Sequence, residues 1–206
     1  MKKKIIACLS AAAMAPAALA PAATAAPRPS VQQCSIMHKA VDRGESVPNM
    51  DAFALPRTNL NGTTLRVVAK TKYKDELRDA IQAWDKASGG KIKIEIVPEG
   101  TPGAVPIEDI SPATKHHFMS GPNIMGVNLW NPSRIILNLK TGEAHGPGKD
   151  EFEGTRIMTI AHEMGHAMGI NHTCKGDAMS DGAASGGYKM PNKYDAALVL
   201  QRAQRG

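Results

Sequence analysis

The chain has 206 residues, 42% of them hydrophobic, with 25 basic and 19 acidic residues and a formal net charge of +6. This length suits one domain with a single core. The basic excess is mild, and beyond the first few residues there is no basic run and no interleaving of basic with aromatic residues. The composition therefore excludes nucleic acid as an expected partner.

The first 25 residues have the pattern of a secretory signal peptide. Three lysines at positions 2–4 precede an apolar, alanine-rich stretch over residues 5–20, and small residues at 23–25 offer a cleavage site. A membrane anchor is the alternative, but the apolar run is short and interrupted by prolines. Removal of the signal leaves 22 basic and 19 acidic residues, a net charge of +3. We expect an extracellular protein without a membrane anchor.

Residues 26–60 are rich in proline, asparagine, serine and charge, which predicts an irregular or propeptide-like segment. From residue 61 onward we expect the main domain. Residues 65–69 form a plausible first strand, and apolar residues at helical spacing over 75–86 predict an amphipathic helix. Residues 91–97 alternate strictly between polar and apolar, the clearest strand in the chain. A strand, a helix and a strand in this order imply a right-handed crossover and a parallel pair.

Five prolines over residues 98–123 predict a long loop. Two strands follow, at 124–130 and 134–140, and the short link between them favours an antiparallel hairpin. After a glycine-rich surface loop over 141–154, an apolar helix is predicted over 155–168. A last helix is predicted over 191–204.

One motif dominates the sequence: from His162 to His172 the chain reads H-E-x-x-H-x-x-G-x-x-H. His162 and His166 are four residues apart, so on a helix their imidazoles project from one face toward one metal ion. Glu163 can reach a water molecule on that metal. Gly169 allows the chain to turn off the helix end, which brings His172 back as a third ligand. Three histidines with one open position are typical of a catalytic zinc site.

A methionine shortly after the third histidine strengthens this interpretation. Met179 lies in the sequence Asp-Ala-Met-Ser, although a lone methionine is more often a core gap-filler. The long motif followed by such a Met-turn resembles the metzincin metalloproteases. The resemblance implies an α+β fold in a single domain. Its expected parts are a twisted mixed sheet with an antiparallel edge strand, a zinc helix, a Met-turn and a C-terminal helix.

Within the metzincins, the chain from about Thr63 onward is similar to the snapalysin-type secreted neutral proteases. The similar pieces are the helical segment 73–87, the strand 134–139, Thr155 and Arg156 before the zinc helix, the cysteine after the third ligand, the Met-Ser turn and the Pro-Asn start of the last helix. Two features depart from that family. Snapalysins carry aspartate where His172 stands, and their longer link to the Met-turn contains a tyrosine that is missing here.

The resemblance implies a zinc endopeptidase that acts on polypeptides as a monomer. One Zn²⁺ would be held by His162, His166 and His172, with Glu163 as general base and Met179 as a hydrophobic floor beneath them. The strand at 124–130 would line the cleft and pair with substrate. Structural Ca²⁺ is conceivable in a secreted protease, but the sequence has no spaced acidic loop for it.

Two cysteines remain after signal cleavage, and in an oxidising compartment Cys34 and Cys174 most simply form one disulfide. The alternative is that Cys34 is an inhibitory zinc ligand in a propeptide, although its surroundings lack the Pro-Arg-Cys-Gly pattern of such segments. Two other functions stay open: hydrolysis of a non-peptide amide, and a binding module without activity. Tyr188, His116, His117 and His145 are given no role.

Overall fold

The computed structural model describes residues 28–118, 124–139, 149–180 and 189–205. The predicted signal peptide, most of the predicted loop 141–154, Tyr188 and His145 lie outside these ranges. The helices are α1 (Val31–Asp42), α2 (Lys74–Ser88), α3 (Lys149–Ala167) and α4 (Lys193–Ala203), with short 3-10 turns at Met50–Ala52 and Lys115–Phe118. The strands are β1 (Thr64–Ala69), β2 (Lys93–Ile96), β3 (Val105–Asp109), β4 (Gly126–Trp130) and β5 (Ser133–Leu137).

The five strands form one mixed sheet in the order β2-β1-β3-β5-β4. Strands β2, β1, β3 and β5 are parallel to one another, and β4 runs antiparallel to β5 at the end of the sheet. The predicted parallel pair and the predicted hairpin are both confirmed. Because α3 contacts β4 and β5, the sheet positions its antiparallel edge beside this helix. The whole arrangement is compatible with an α+β fold.

The prediction of one long loop over residues 98–123 is wrong, since β3 lies within it. Val105 and Ile107 are fully buried, and β3 pairs with β1 on one side and β5 on the other. Pro106 removes one backbone donor from this central strand, which is unusual. Two alternating apolar residues among five prolines were too short a pattern to indicate a strand.

Helix α2 agrees with its prediction and packs against α3. It buries Leu77, Ala80 and Trp84, and the indole N–H of Trp84 donates to the carbonyl of Ala161 at 3.0 Å. A buried indole needs such a partner. This hydrogen bond ties α2 to the middle of α3, next to the first residue of the histidine motif.

The expectation of an irregular segment over residues 26–60 is also corrected by the structure. Helix α1 begins with a capping box in which Ser30 and Gln33 bond each other's backbone N–H groups. Met37, Met50 and Phe53 are at most 1% exposed and belong to the main hydrophobic core. Tertiary packing therefore orders a segment whose local pattern is weak.

The two C-terminal helices largely follow prediction. Helix α3 starts at Lys149, so the last part of the predicted loop 141–154 is helical. Helix α4 has Asn192 as its N-cap, with a capping box completed by Asp195. None of the helices in the described part of the chain combines the length and apolar character needed to cross a bilayer.

Candidate metal centre

The three histidines of the motif converge at the C-terminal end of α3. His162 and His166 lie one turn apart on the helix, and the rings of His162, His166 and His172 have centroids 4.6–5.3 Å apart. One ligand atom from each of the three lies within 4.8 Å of the other two. That spacing is within reach of ligation to a single ion, because imidazole nitrogens bind zinc at about 2.0–2.1 Å.

Backbone carbonyls fix the orientation of two of the rings. The Nδ1 atom of His162 lies 2.7 Å from the carbonyl oxygen of Ala178, and that of His166 lies 2.8 Å from the carbonyl oxygen of Ile170. Each Nδ1–H can donate there, which leaves Nε2 as the lone-pair nitrogen. Burial first, and then the neighbouring imidazoles, hold the pKa of His166 well below its usual value. A neutral imidazole is the form that binds a metal.

The turn that carries the third histidine is held by the N-terminal segment. Gly169 has φ of +89°, as the motif predicts, and a Cβ there would lie 2.9 Å from the carbonyl oxygen of Arg57. The N–H of Leu55 donates to the carbonyl of Gly169 at 2.8 Å, and the N–H of Asn171 donates to Phe53 at 2.9 Å. The position of His172 therefore depends on residues 53–59, a contact that no sequence signal indicates.

Glu163 lies buried against the edge strand β4 of the sheet. Its side-chain Oε2 has no hydrogen-bond partner, and burial raises the pKa of this carboxyl to about 8, against the opposing effect of the backbone N–H of Asn128. A Cβ on Gly126 would be 2.7 Å from Cγ of Glu163. Only glycine at that position of β4 lets the strand approach the carboxyl so closely.

Met179 packs against the backbone of α3. It is fully buried, and a Cβ on Gly165 would be 2.1 Å from its sulfur and 3.2 Å from the Trp84 ring. The glycine inside the motif therefore lets the methionine reach the helix backbone. This contact places Met179 under the residues that separate His162 from His166.

A buried carboxylate that the sequence analysis missed holds the Met-turn. Asp195 on α4 accepts hydrogen bonds from the N–H groups of Ala178 and Met179 at 3.1 and 3.3 Å. Burial, and next the charge of Asp177, raises the pKa of Asp195 to about 6. Because Ala178 also accepts from His162, α4 supports the first histidine through this turn. The only available signal was an acidic residue three positions after a helix N-cap, which is common in helices.

The two cysteines form the expected disulfide. The sulfurs of Cys34 and Cys174 are bonded, with their Cα atoms 5.6 Å apart and a sequence separation of 140. The thiol of Cys34 is thus engaged, which removes the alternative in which it binds the metal of the histidine cluster. Of the histidines without a role, His116 is exposed in the second 3-10 turn.

The donor set fits a catalytic zinc ion. Three imidazoles, each with one ring nitrogen within 4.8 Å of the other two, supply three neutral ligands, and Glu163, next to His162 in the chain, has a buried oxygen with no hydrogen-bond partner. A closed structural site would instead offer four strong ligands.

Comparison with known proteins adds little to this geometry. Neither a protein-family model nor a curated protein sequence matches the chain. A solved structure described as the GM1 bound form of the ECX AB5 holotoxin is similar to it with a TM-score of 0.44 and 16% identity, over 77% of this chain and 91% of that one. Similarity of this degree carries no argument about fold or activity.

Proposed function

We propose that this protein is a secreted zinc metalloendopeptidase of the metzincin type. The observation that carries the proposal is the convergence of His162, His166 and His172 next in sequence to the buried Glu163, whose carboxyl has one oxygen without a hydrogen-bond partner. The Met-turn under the helix and the antiparallel edge strand beside it agree with that class. The disulfide supports export, since such bonds persist in oxidising compartments.

Each residue of the centre has a chemical task in peptide hydrolysis. When bound, zinc would supply the positive charge that acidifies a water molecule and stabilises the developing oxyanion. Glu163 accepts the proton of the attacking water and passes it to the leaving nitrogen. Burial raises the pKa of the Glu163 carboxyl, which suits a group that must both accept and return a proton.

The edge strand offers a place for the substrate. Strand β4 is the last strand of the sheet, and Gly126 and Asn128 bring it against Glu163. A peptide that adds to a free strand edge is held by backbone hydrogen bonds, so many sequences bind alike. A polypeptide on this edge would run past the metal and the general base.

Two variants separate the metal from the base. Glu163→Gln should keep stoichiometric zinc but lose about 10²–10⁴-fold or more of its activity on a peptide substrate, because the proton acceptor is gone. His166→Ala should lose the metal itself, since a ligand is missing. Elemental analysis and a casein or peptide-library digest, each with and without phenanthroline, measure both effects.

Glu99→Gln is the matched control, because the Glu99 side chain is 73% exposed and pairs only with Lys70 among the ion pairs of the described residues. It should match the wild type in metal content and rate. Full activity of Glu163→Gln, or equal cleavage in phenanthroline, would refute the proposed function. A zinc-loaded protein that cuts no peptide but releases amine from a cell-wall amide would refute only the substrate class.

A further inference from the structure

A second group of metal-binding side chains surrounds the disulfide. Cys34 and His38 are four residues apart on α1 and therefore project from the same face of the helix. Cys174 and Asp177 stand at the two ends of a tight turn, which the N–H of Asp177 closes by donating to the carbonyl of Cys174 at 3.1 Å. The two pairs face each other across the sulfur–sulfur bond.

The distances within this group are short. One metal-binding atom each from His38, Cys174 and Asp177 lies within 4.8 Å of the other two, and the Cys34 sulfur is bonded to that of Cys174. His38 Nε2 is 2.8 Å from a carboxylate oxygen of Asp177. The side chain of Asp177 is 4% exposed and that of His38 is 30% exposed, so the group is shielded on the protein side and open at the imidazole.

We propose that Cys34, His38, Cys174 and Asp177 form a second zinc site when their disulfide is reduced. Two thiolates, one imidazole and one carboxylate are donors that zinc accepts in a tetrahedral structural site. Zinc–ligand bonds of about 2.0–2.3 Å need donor atoms about 3.3–3.8 Å apart. Small side-chain shifts from the present positions reach that spacing, with no rearrangement of α1 or the turn.

Disulfide and zinc are alternative occupants of the same place. A thiol reductant supplies two electrons and two protons, the bond between Cys34 and Cys174 breaks, and the reductant leaves as its own disulfide. Each cysteine thiol then loses its proton as its sulfur binds zinc. His38 donates through Nε2, and Asp177 exchanges its contact with His38 for the metal. Either occupant ties α1 to the loop that follows His172.

Zinc stoichiometry tests the site independently of the catalytic centre. Wild-type protein is loaded with zinc, dialysed and analysed after treatment with a phosphine, which reduces the disulfide, takes oxygen from water and does not compete for metal as a dithiol does. We expect one more equivalent per chain in the reduced sample than in the oxidised one. The variant His162→Ala/His166→Ala should show the same gain, so that failure of the proposed function does not affect this result.

Cobalt substitution identifies the ligands. Cobalt bound to the reduced protein should show a thiolate-to-metal charge-transfer band that is missing from the oxidised protein and from Cys34→Ser/Cys174→Ser. His38→Ala should weaken zinc binding in the reduced state by more than the ~10–100-fold that loss of a merely supporting group costs. His116→Ala is the control, an exposed histidine elsewhere in the chain, and should leave the gain unchanged.

Three results would overturn the second site. One is a reduced protein that binds no additional equivalent of zinc, and another is an additional equivalent of zinc that persists in both His38→Ala and Asp177→Asn. The third is a reduced protein that loses its near-ultraviolet circular dichroism and does not recover it when zinc is added. Zinc should instead raise the melting temperature of the reduced wild type while leaving that of reduced His38→Ala nearly unchanged.

Discussion

Two regions of this molecule meet at the candidate metal centre, and they differ in how far the sequence reveals them. The motif 162–172 could be interpreted almost residue by residue, because its chemistry depends on spacing along one helix and a single glycine turn. The segment 26–60 looked irregular, yet its described part contributes to the core and holds the turn that carries His172. The local sequence therefore shows which histidines are the candidate metal ligands, whereas tertiary contacts determine where the third of them lies.

The physical origin of the difference is the type of interaction. Side chains four residues apart lie close together on any helix, so the proximity of His162 and His166 can be predicted without knowing the fold. The N-terminal segment instead acts through its backbone, as in the 2.8 Å bond from Leu55 to Gly169. Backbone donors are present at every non-proline residue, and no residue type marks those that will be used.

The largest effect should come from removing the N-terminal segment. Deletion of residues 28–60 takes Met37, Met50 and Phe53 out of the core and cuts the hydrogen bonds to Gly169 and Asn171. Truncation of one large buried side chain costs about 2–5 kcal/mol, so the loss of three, about 6–15 kcal/mol, is comparable to the whole stability of a single domain. We expect a protein that neither unfolds cooperatively nor retains zinc, measured by thermal circular dichroism and elemental analysis.

A milder variant keeps this prediction informative if the deletion does not express. Phe53→Ala should lower the free energy of unfolding by about 3–5 kcal/mol, whereas Val31→Ala, at a position 89% exposed, should change it little. An active, zinc-loaded protein whose first residue is near 61 would show that the segment is a removable propeptide after all.

An intermediate effect should appear at the turn where the two regions touch. Gly169→Ala places a Cβ at a positive φ and 2.9 Å from the Arg57 carbonyl oxygen, so it adds a steric clash to backbone strain. Gly176→Ala is the matched control, because its φ is +96° and nothing lies within 4 Å of the added Cβ. Gly176→Ala should lower the free energy of unfolding by about 1–2 kcal/mol. Gly169→Ala should lower it by a further ~1–3 kcal/mol and should also weaken zinc binding.

Urea unfolding and a zinc-competition titration of both variants measure this difference. Equal costs for the two substitutions would mean that the N-terminal segment moves away from the turn without penalty. Loss of stability at position 169 without weaker zinc binding would mean that His172 does not depend on the turn.

The sheet shows the same division between local and tertiary information. Helix α2 and strand β2 were predictable because their apolar residues repeat at the helical and strand periods. Strand β3 was not, since only Val105 and Ile107 mark it in five residues. In α1 the apolar residues do not all share one face, because Met37 and Ala40 are buried whereas Val31 is 89% exposed and Ile36 is 43% exposed. Burial of that helix is decided by the disulfide, the core and α4.

The smallest effect should come from the buried carboxylate that supports the Met-turn. The pKa of Asp195 is raised to about 6, so the folded protein prefers the protonated form more than the unfolded chain does. This contribution to stability is fully present below the unfolded pKa of 3.8 and is lost as the pH rises through about 6. Asp195→Asn cannot titrate and removes this dependence.

Urea unfolding of the wild type and Asp195→Asn between pH 7 and pH 4 isolates the effect, because other carboxyl groups are common to both proteins. The free energy of unfolding of the wild type, relative to the variant, should rise by on the order of 1–3 kcal/mol as the pH falls. The contrary result is a free energy of unfolding of the wild type, relative to the variant, that stays constant or decreases as the pH is lowered. That result would mean that the backbone N–H groups of Ala178 and Met179, which lower the pKa of Asp195, outweigh the burial that raises it. The Met-turn would then be held by a carboxyl group that stays ionised, and its support of His162 would not change over this pH range.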